Sequence, residues 1–177
     1  MNMPFQDSAV VYSGSLPLSL ELLADAPKEH DILRANEGNE VLLRSVTVLE
    51  EHVDIDENDE IAQELRRQDM KLNLILDMLG TLLMQQQVIP PPREIQLSAG
   101  GVRLPEVKLP GNRHCRILLY IEPAIPKPLT LFGECHPSTQ AGMVDIIFKG
   151  VSQTVTDNLD KFIFRHHRRR IAQARKA

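Results

Sequence analysis

The sequence predicts an α+β fold that is mainly β, with six short strands, a closing helix and one long helix inserted after the first strand. Three observations predict it. Five apolar or alternating runs at 94–97, 102–104, 115–121, 128–135 and 143–148 are separated by Pro- and Gly-rich turns. A sixth alternation lies far upstream at 16–22, and residues 58–87 carry apolar side chains at heptad spacing with no proline among them.

Taken in order, residues 1–14 carry no period. Leu16, Leu18, Leu20 and Leu22 alternate with Pro17, Ser19 and Glu21. That is the pattern of a half-buried strand, in which Pro17 belongs at an edge or at the start. Pro27 suits the first position of a short helix. Gly38 and Asn39 then punctuate the chain, and a second helix is expected over 40–52, with Val41, Leu42, Ser45, Val48 and Leu49 on one face. The acidic stretch 54–60 supplies a cap, Asn58 or Asp56, and Asp59 and Glu60 favour the positive end of the next helix. That helix runs to about residue 87, and Pro90, Pro91 and Pro92 stop it. The strands follow. Gly150 closes the last one, and Thr156 or Asp157 caps a final helix to about residue 175, with Leu159, Phe162 and Ile163 inward. The chain thus divides into a tail and first strand (1–27), a helical insertion (28–92) and the remaining strands with the final helix (93–177).

The long helix reads as an assembly device. With Leu65, Leu72 and Leu79 at heptad position a, position d holds Ile61, Gln68, Ile75 and Leu82. Leu76, Leu83 and Met78 widen the stripe at e and g, so that one partner helix cannot cover it. Leu at a with Ile at d favours trimers or tetramers. Polar Gln68 in the seam fixes register at a cost in stability. Thirty helical residues extend about 45 Å, more than the rest of the chain can cover.

Composition excludes several functions. Net charge is −4 and the chain holds no Trp, which disfavours a general nucleic-acid binder, so no DNA partner is expected. The longest apolar region, 72–84, is broken by Asn73, Asp77 and Gly80 and is too short to span a membrane. Cys115 and Cys135 are the only cysteines, too few for a disulfide framework, and no signal peptide is visible. A cytoplasmic protein is expected. His114-Cys115 and Cys135-His136 hold zinc-type donors, but neighbours on a strand point to opposite faces, so no metal is expected. The basic run from Arg165 to Lys176 suits the negative end of a helix. No nucleophile elbow, phosphate loop or carboxylate pair is present, so no enzyme and no cofactor are expected.

The most informative stretch is Gln96-Leu97-Ser98-Ala99-Gly100-Gly101. A strand ends in a Ser and two glycines before the next strand leaves. Glycine there is free to take φ > 0, and the turn is expected to expose a hydroxyl and bare amides that hold an anion. Gln96-x-Ser98-x-x-Gly101 resembles the Asp/Asn-x-Ser-x-x-Gly signature of PilZ domains, β-barrel receptors of the bacterial second messenger cyclic di-GMP. The order of elements after residue 93 is similar too, including Val144-Asp145-Ile146-Ile147-Phe148 as last strand and a closing helix of bulky and basic residues. The resemblance implies a PilZ-like six-stranded barrel, with 15–22 as its first strand. It is closest to an atypical branch with extra long helices and tetrameric assembly.

The resemblance places candidate ligand contacts at Gln96, Ser98, Gly100, Gly101 and Arg93. Two departures matter. Gln96 replaces Asp or Asn, and the family's upstream Arg-x-x-x-Arg loop is missing. Arg offers bidentate bonds to phosphates and guanine edges, yet the expected stretch 85–93 has one Arg and three prolines. Arg66 and Arg67 lack the spacing, and Arg165 and Arg169 have it only on the last helix. The resemblance therefore implies a non-catalytic adaptor of cyclic di-GMP pathways, a homo-oligomer (a tetramer) that acts on signalling or motility proteins, with ligand binding weak or lost. Two alternatives remain open: a working receptor with Arg residues from elsewhere, and a structural coiled-coil scaffold.

Overall fold

A computed structural model describes residues 10–50, 60–86, 88–105, 114–122, 125 and 127–174. Nine elements follow one another: β1 (Tyr12–Leu22), α1 (Glu29–Glu50), α2 (Glu60–Gln86), β2 (Pro92–Ser98), β3 (Gly101–Pro105), β4 (His114–Leu119), β5 (Leu129–Pro137), β6 (Met143–Phe148) and α3 (Gln153–Ala174). The strands close into an antiparallel barrel in the order β1-β2-β3-β6-β5-β4.

β1 makes the closure. Its first half, Tyr12 to Pro17, pairs with β2, and its second half, Leu18 to Leu22, pairs with β4. Pro17 sits at neither an edge nor a strand start, but at this hand-off. It faces Pro92 where the ladder with β2 ends, so the ladder loses no donor there, and its carbonyl accepts the Tyr120 N–H at 3.0 Å. Period-two alternation then puts Leu18, Leu97, Leu104, Ile117, Leu119, Leu129, Leu131 and Ile146 in the barrel interior, each at most 1% exposed.

The helices depart from the sequence pattern. α1 is one helix, not two. It begins at Glu29, leaving Pro27 outside, and runs unbroken through Gly38. Its buried face is Asn39, Leu42, Leu43 and Val46, while Val41 and Val48 are exposed. Backbone groups of the barrel select that face. β5 extends past the end of its ladder with β6 at Gly133, and Asn39 serves both free groups of Thr130. The Asn39 Nδ2 donates to the Thr130 carbonyl at 2.7 Å, and the Thr130 N–H donates to Oδ1 at 2.8 Å. One turn earlier, Asn36 donates to the Gly150 carbonyl and accepts from the Ser152 N–H, at 2.8 and 3.1 Å. Gly150 has φ +70°, and a Cβ there would lie 2.7 Å from Ile32, so glycine is needed for both reasons.

α3 begins earlier than expected. Its N-cap is Ser152, whose Oγ accepts the Val155 N–H at 3.2 Å and donates to Glu40 at 2.9 Å. Val155, Leu159, Phe162 and Ile163 are buried beneath it. Arg165 donates to Thr47 at 2.9 Å and joins α3 to α1. The proposed caps Asp56 and Asn58 of α2 lie outside the described residues.

Replacing Asn39 with Ala leaves the half-buried N–H and carbonyl of Thr130 without these partners. The expected cost is about 2 kcal/mol, read as a lower urea midpoint with an unchanged slope. An unchanged midpoint would show that the Asn39 bonds do not hold α1 in place.

Candidate functional site

The β2–β3 hairpin carries the signature residues on a two-residue turn, Ala99-Gly100. Its chemistry differs from the expectation. Ser98 is fully buried, and its hydroxyl donates to the Gly101 carbonyl at 3.2 Å rather than facing solvent. Ser98 pairs with Gly101, and Gly101 pairs in turn with Ile147, which places the hairpin base inside the ladder. The Gly100 carbonyl accepts the Phe148 N–H at 2.9 Å. Positive φ occurs at Gly142 and Gly150, not at Gly100 or Gly101.

Register builds a polar row across the outer wall of the barrel. Ser13 faces Gln96, Gln96 faces Arg103, Arg103 faces Asp145, and Asp145 faces His136. The arginine beside Gln96 is therefore Arg103, which the sequence reading did not single out. Its Nε and Nη2 donate to the two Asp145 oxygens at 2.6 and 2.9 Å. Asp145 is fully buried and Arg103 only 13% exposed, and this bond raises the guanidinium pKa above its ordinary value. Arg93 is not brought to Gln96. Strand parity puts it on the face of Ile95 and Leu97, and three residues span about 10 Å of strand.

The stretch 85–93 does not precede the first barrel strand, because β1 comes before it in sequence and pairs with β2 in the barrel. Residues 1–11, on the N-terminal side of β1, contain no Lys or Arg.

Next along the outer wall, Glu134 accepts from Lys149 at 3.1 Å, with His136 at 3.7 Å and His114 at 3.8 Å. The Lys149 bond, joined by the two histidines, lowers the Glu134 carboxyl below its usual range. Cys115 and Cys135 lie on the inner face, both buried and unbridged. The Cys115 thiol donates to the Gly133 carbonyl at 3.4 Å, and the Cys135 sulfur together with burial pushes it up. Among the described residues no three His, Cys, Asp or Glu side chains gather as metal ligands, and no helix is long and apolar enough to cross a membrane.

The other candidate site is α2, about 40 Å of helix. Among the described residues it lacks the packing against the barrel that α1 and α3 have. Every a and d leucine and isoleucine is at least half exposed, from Leu79 at 50% to Ile61 at 72%. Met78, Leu76 and Leu83 widen the same exposed surface. Gln68, in the seam, donates to Glu64 at 3.2 Å within its own helix.

Residues 43–176 match the sequence profile of a family described as atypical PilZ domain, cyclic di-GMP receptor. The chain belongs to the atypical PilZ family. Among solved structures, it is similar to a PilZ domain protein of Xanthomonas campestris described as tetrameric and self-assembled via an unusual helical bundle. The two share 26% identity over 94% of this chain and 92% of that one, with a TM-score of 0.71. Among curated proteins none matches the chain. Closed six-stranded barrel and long helices are thus those of an atypical PilZ protein, a class of signalling receptor domains.

Arg103→Ala in this PilZ barrel strands the buried Asp145 carboxylate. The expected loss is about 3–5 kcal/mol of stability, seen as a large drop in melting temperature. A loss below about 1 kcal/mol, the range of exposed pairs, would mean that Asp145 is solvated in solution.

Proposed function

We propose that this PilZ chain is a non-catalytic adaptor of bacterial cyclic di-GMP signalling, presented in several copies, with its own affinity for the nucleotide weak or lost. The observation that carries the reading is the exposed apolar face of α2. In water so long a stripe demands a partner, and its heptad order suits other copies of itself. The similar Xanthomonas campestris protein, tetrameric through a helical bundle, supports a homotetramer here, with Ile61, Leu65, Gln68, Leu72, Ile75, Leu79 and Leu82 as the seam.

The signature region supports weak binding. Ser98 spends its hydroxyl proton on Gly101, Arg103 is held by Asp145, and Arg93 lies on the other face of β2. Residues 1–11 hold no Lys or Arg. Two missing charged contacts at roughly 1.5–3 kcal/mol each weaken a ligand by a few hundred-fold or more. A barrel with that chemistry acts through its surface on signalling or motility proteins, in the cytoplasm where the messenger is made.

Leu72→Asp with Leu79→Asp is expected to give a monomer in analytical ultracentrifugation with the barrel still folded. An oligomer that survives both changes rejects α2 as the seam. Isothermal titration of the intact protein with cyclic di-GMP is expected to show no saturable heat in the micromolar range. Micromolar binding that Ser98→Ala weakens would make the protein a working receptor instead.

A further inference from the structure

The buried face of α3 continues past the end of the barrel and changes character. Phe162, His166, Arg169 and Gln173 follow one another at steps of four, three and four residues and share one stripe, with Arg170 beside it four residues after His166. Phe162 is buried, whereas the later four stand against the start of β1. There they and His167 face Val11, Tyr12 and Ser13 across a cavity of about 330 Å³.

The walls of this cavity are held. The Tyr12 and His166 rings meet edge to face at 5.6 Å, and Phe162 packs on His166 at 4.4 Å. The Arg170 Nη1 donates to the Ser13 carbonyl at 3.2 Å, which ties the helix to the strand and fixes the guanidinium beside the cavity. The His167 ring lines the same cavity, with its Nδ1 turned away from solvent and without a hydrogen-bond partner. No acid follows Asp160 in the sequence, and among the described residues the field of Glu94 on β2 reaches Tyr12.

Cations at the end of a helix suit its dipole and by themselves name no ligand. Here they combine with a cavity at the lower end of the small-ligand range and an aromatic wall. We propose that the α3–β1 cavity binds the phosphate group of a small phosphorylated molecule of nucleoside monophosphate size, with Arg169 and Arg170 as phosphate donors and the Tyr12–His166 wall against its ring. The site uses none of Gln96, Ser98 or Gly101, so it stands whether or not the signature hairpin binds cyclic di-GMP.

Equilibrium dialysis of the full chain with radiolabelled guanosine monophosphate tests it. The expected result is saturable uptake of one molecule per chain, competed by inorganic phosphate. Arg169→Ala and Arg170→Ala should each weaken it about ten-fold or more. Gln173→Glu removes no bond that ties α3 to β1, yet adds a negative charge to the cavity, and should weaken uptake comparably with an unchanged melting temperature. Gln96→Ala should leave it unaltered. Cyclic di-GMP titrated in parallel separates the two sites, because dependence on Gln96 reports the hairpin and dependence on Arg169 reports the cavity. No saturable uptake, uptake indifferent to all three α3 variants, or binding only to vesicles of anionic phospholipid would each overturn the proposal.

Discussion

Everything else in this fold depends on β1 lying between β2 and β4. A six-stranded sheet with both edges open would expose two rows of unpaired amides and carbonyls. β1 removes both edges by giving half of its length to each neighbour. Its partners are distant in sequence, so the chain from residue 23 to 91 must leave the barrel and return to it. The helical insertion is therefore anchored at both ends by the same strand closure. α1 is secured further by side-chain amides that complete the backbone bonds of β5 and of the turn into α3.

The outer wall follows a related logic. A buried carboxylate costs free energy unless it is paired and hydrogen-bonded, and Asp145 obtains both from Arg103. The same arginine is the cation that register places beside Gln96. One side chain cannot neutralise Asp145 and also grip a phosphate with the same donors. The wall has thus exchanged a ligand-accessible cation for a stabilised barrel, while exposed cations are left at the α3 end of the molecule.

The strands were legible because period two survives in short windows, and Leu16 to Leu22 declared itself despite Pro17. The heptad stripe of α2 was legible because its apolar spacing persists on both sides of the one polar seam residue, Gln68. α1 was not. Gly38-Asn39 looks like a breaker locally, but the Thr130 backbone rewards a helical Asn39, and tertiary bonds override propensity. The phase of the helix followed from that contact, so the predicted face was rotated away from Leu43 and Val46. In the candidate site, Ser98 and Gly101 were found by their spacing, but the direction of a hydroxyl is not written in spacing. Arg103 and Asp145 are 42 residues apart, and only strand register joins them. The stretch ahead of the barrel was misplaced because the pairing of β1 with β2 spans the whole insertion.

The short connection between α2 and β2 has a mechanical consequence. From Gln86 to Pro92 the chain can reach at most about 20 Å, and three of its residues are prolines that stiffen it. Each barrel is thus leashed to one end of its own helix. When such helices gather, the barrels gather with them at a local concentration of the order of millimolar. A partner with repeated docking points then gains avidity of roughly 100-fold to 10,000-fold over a single barrel, with no new contact on either surface. For such a partner, weak individual grips would add up to a firm one that is lost when the helices part.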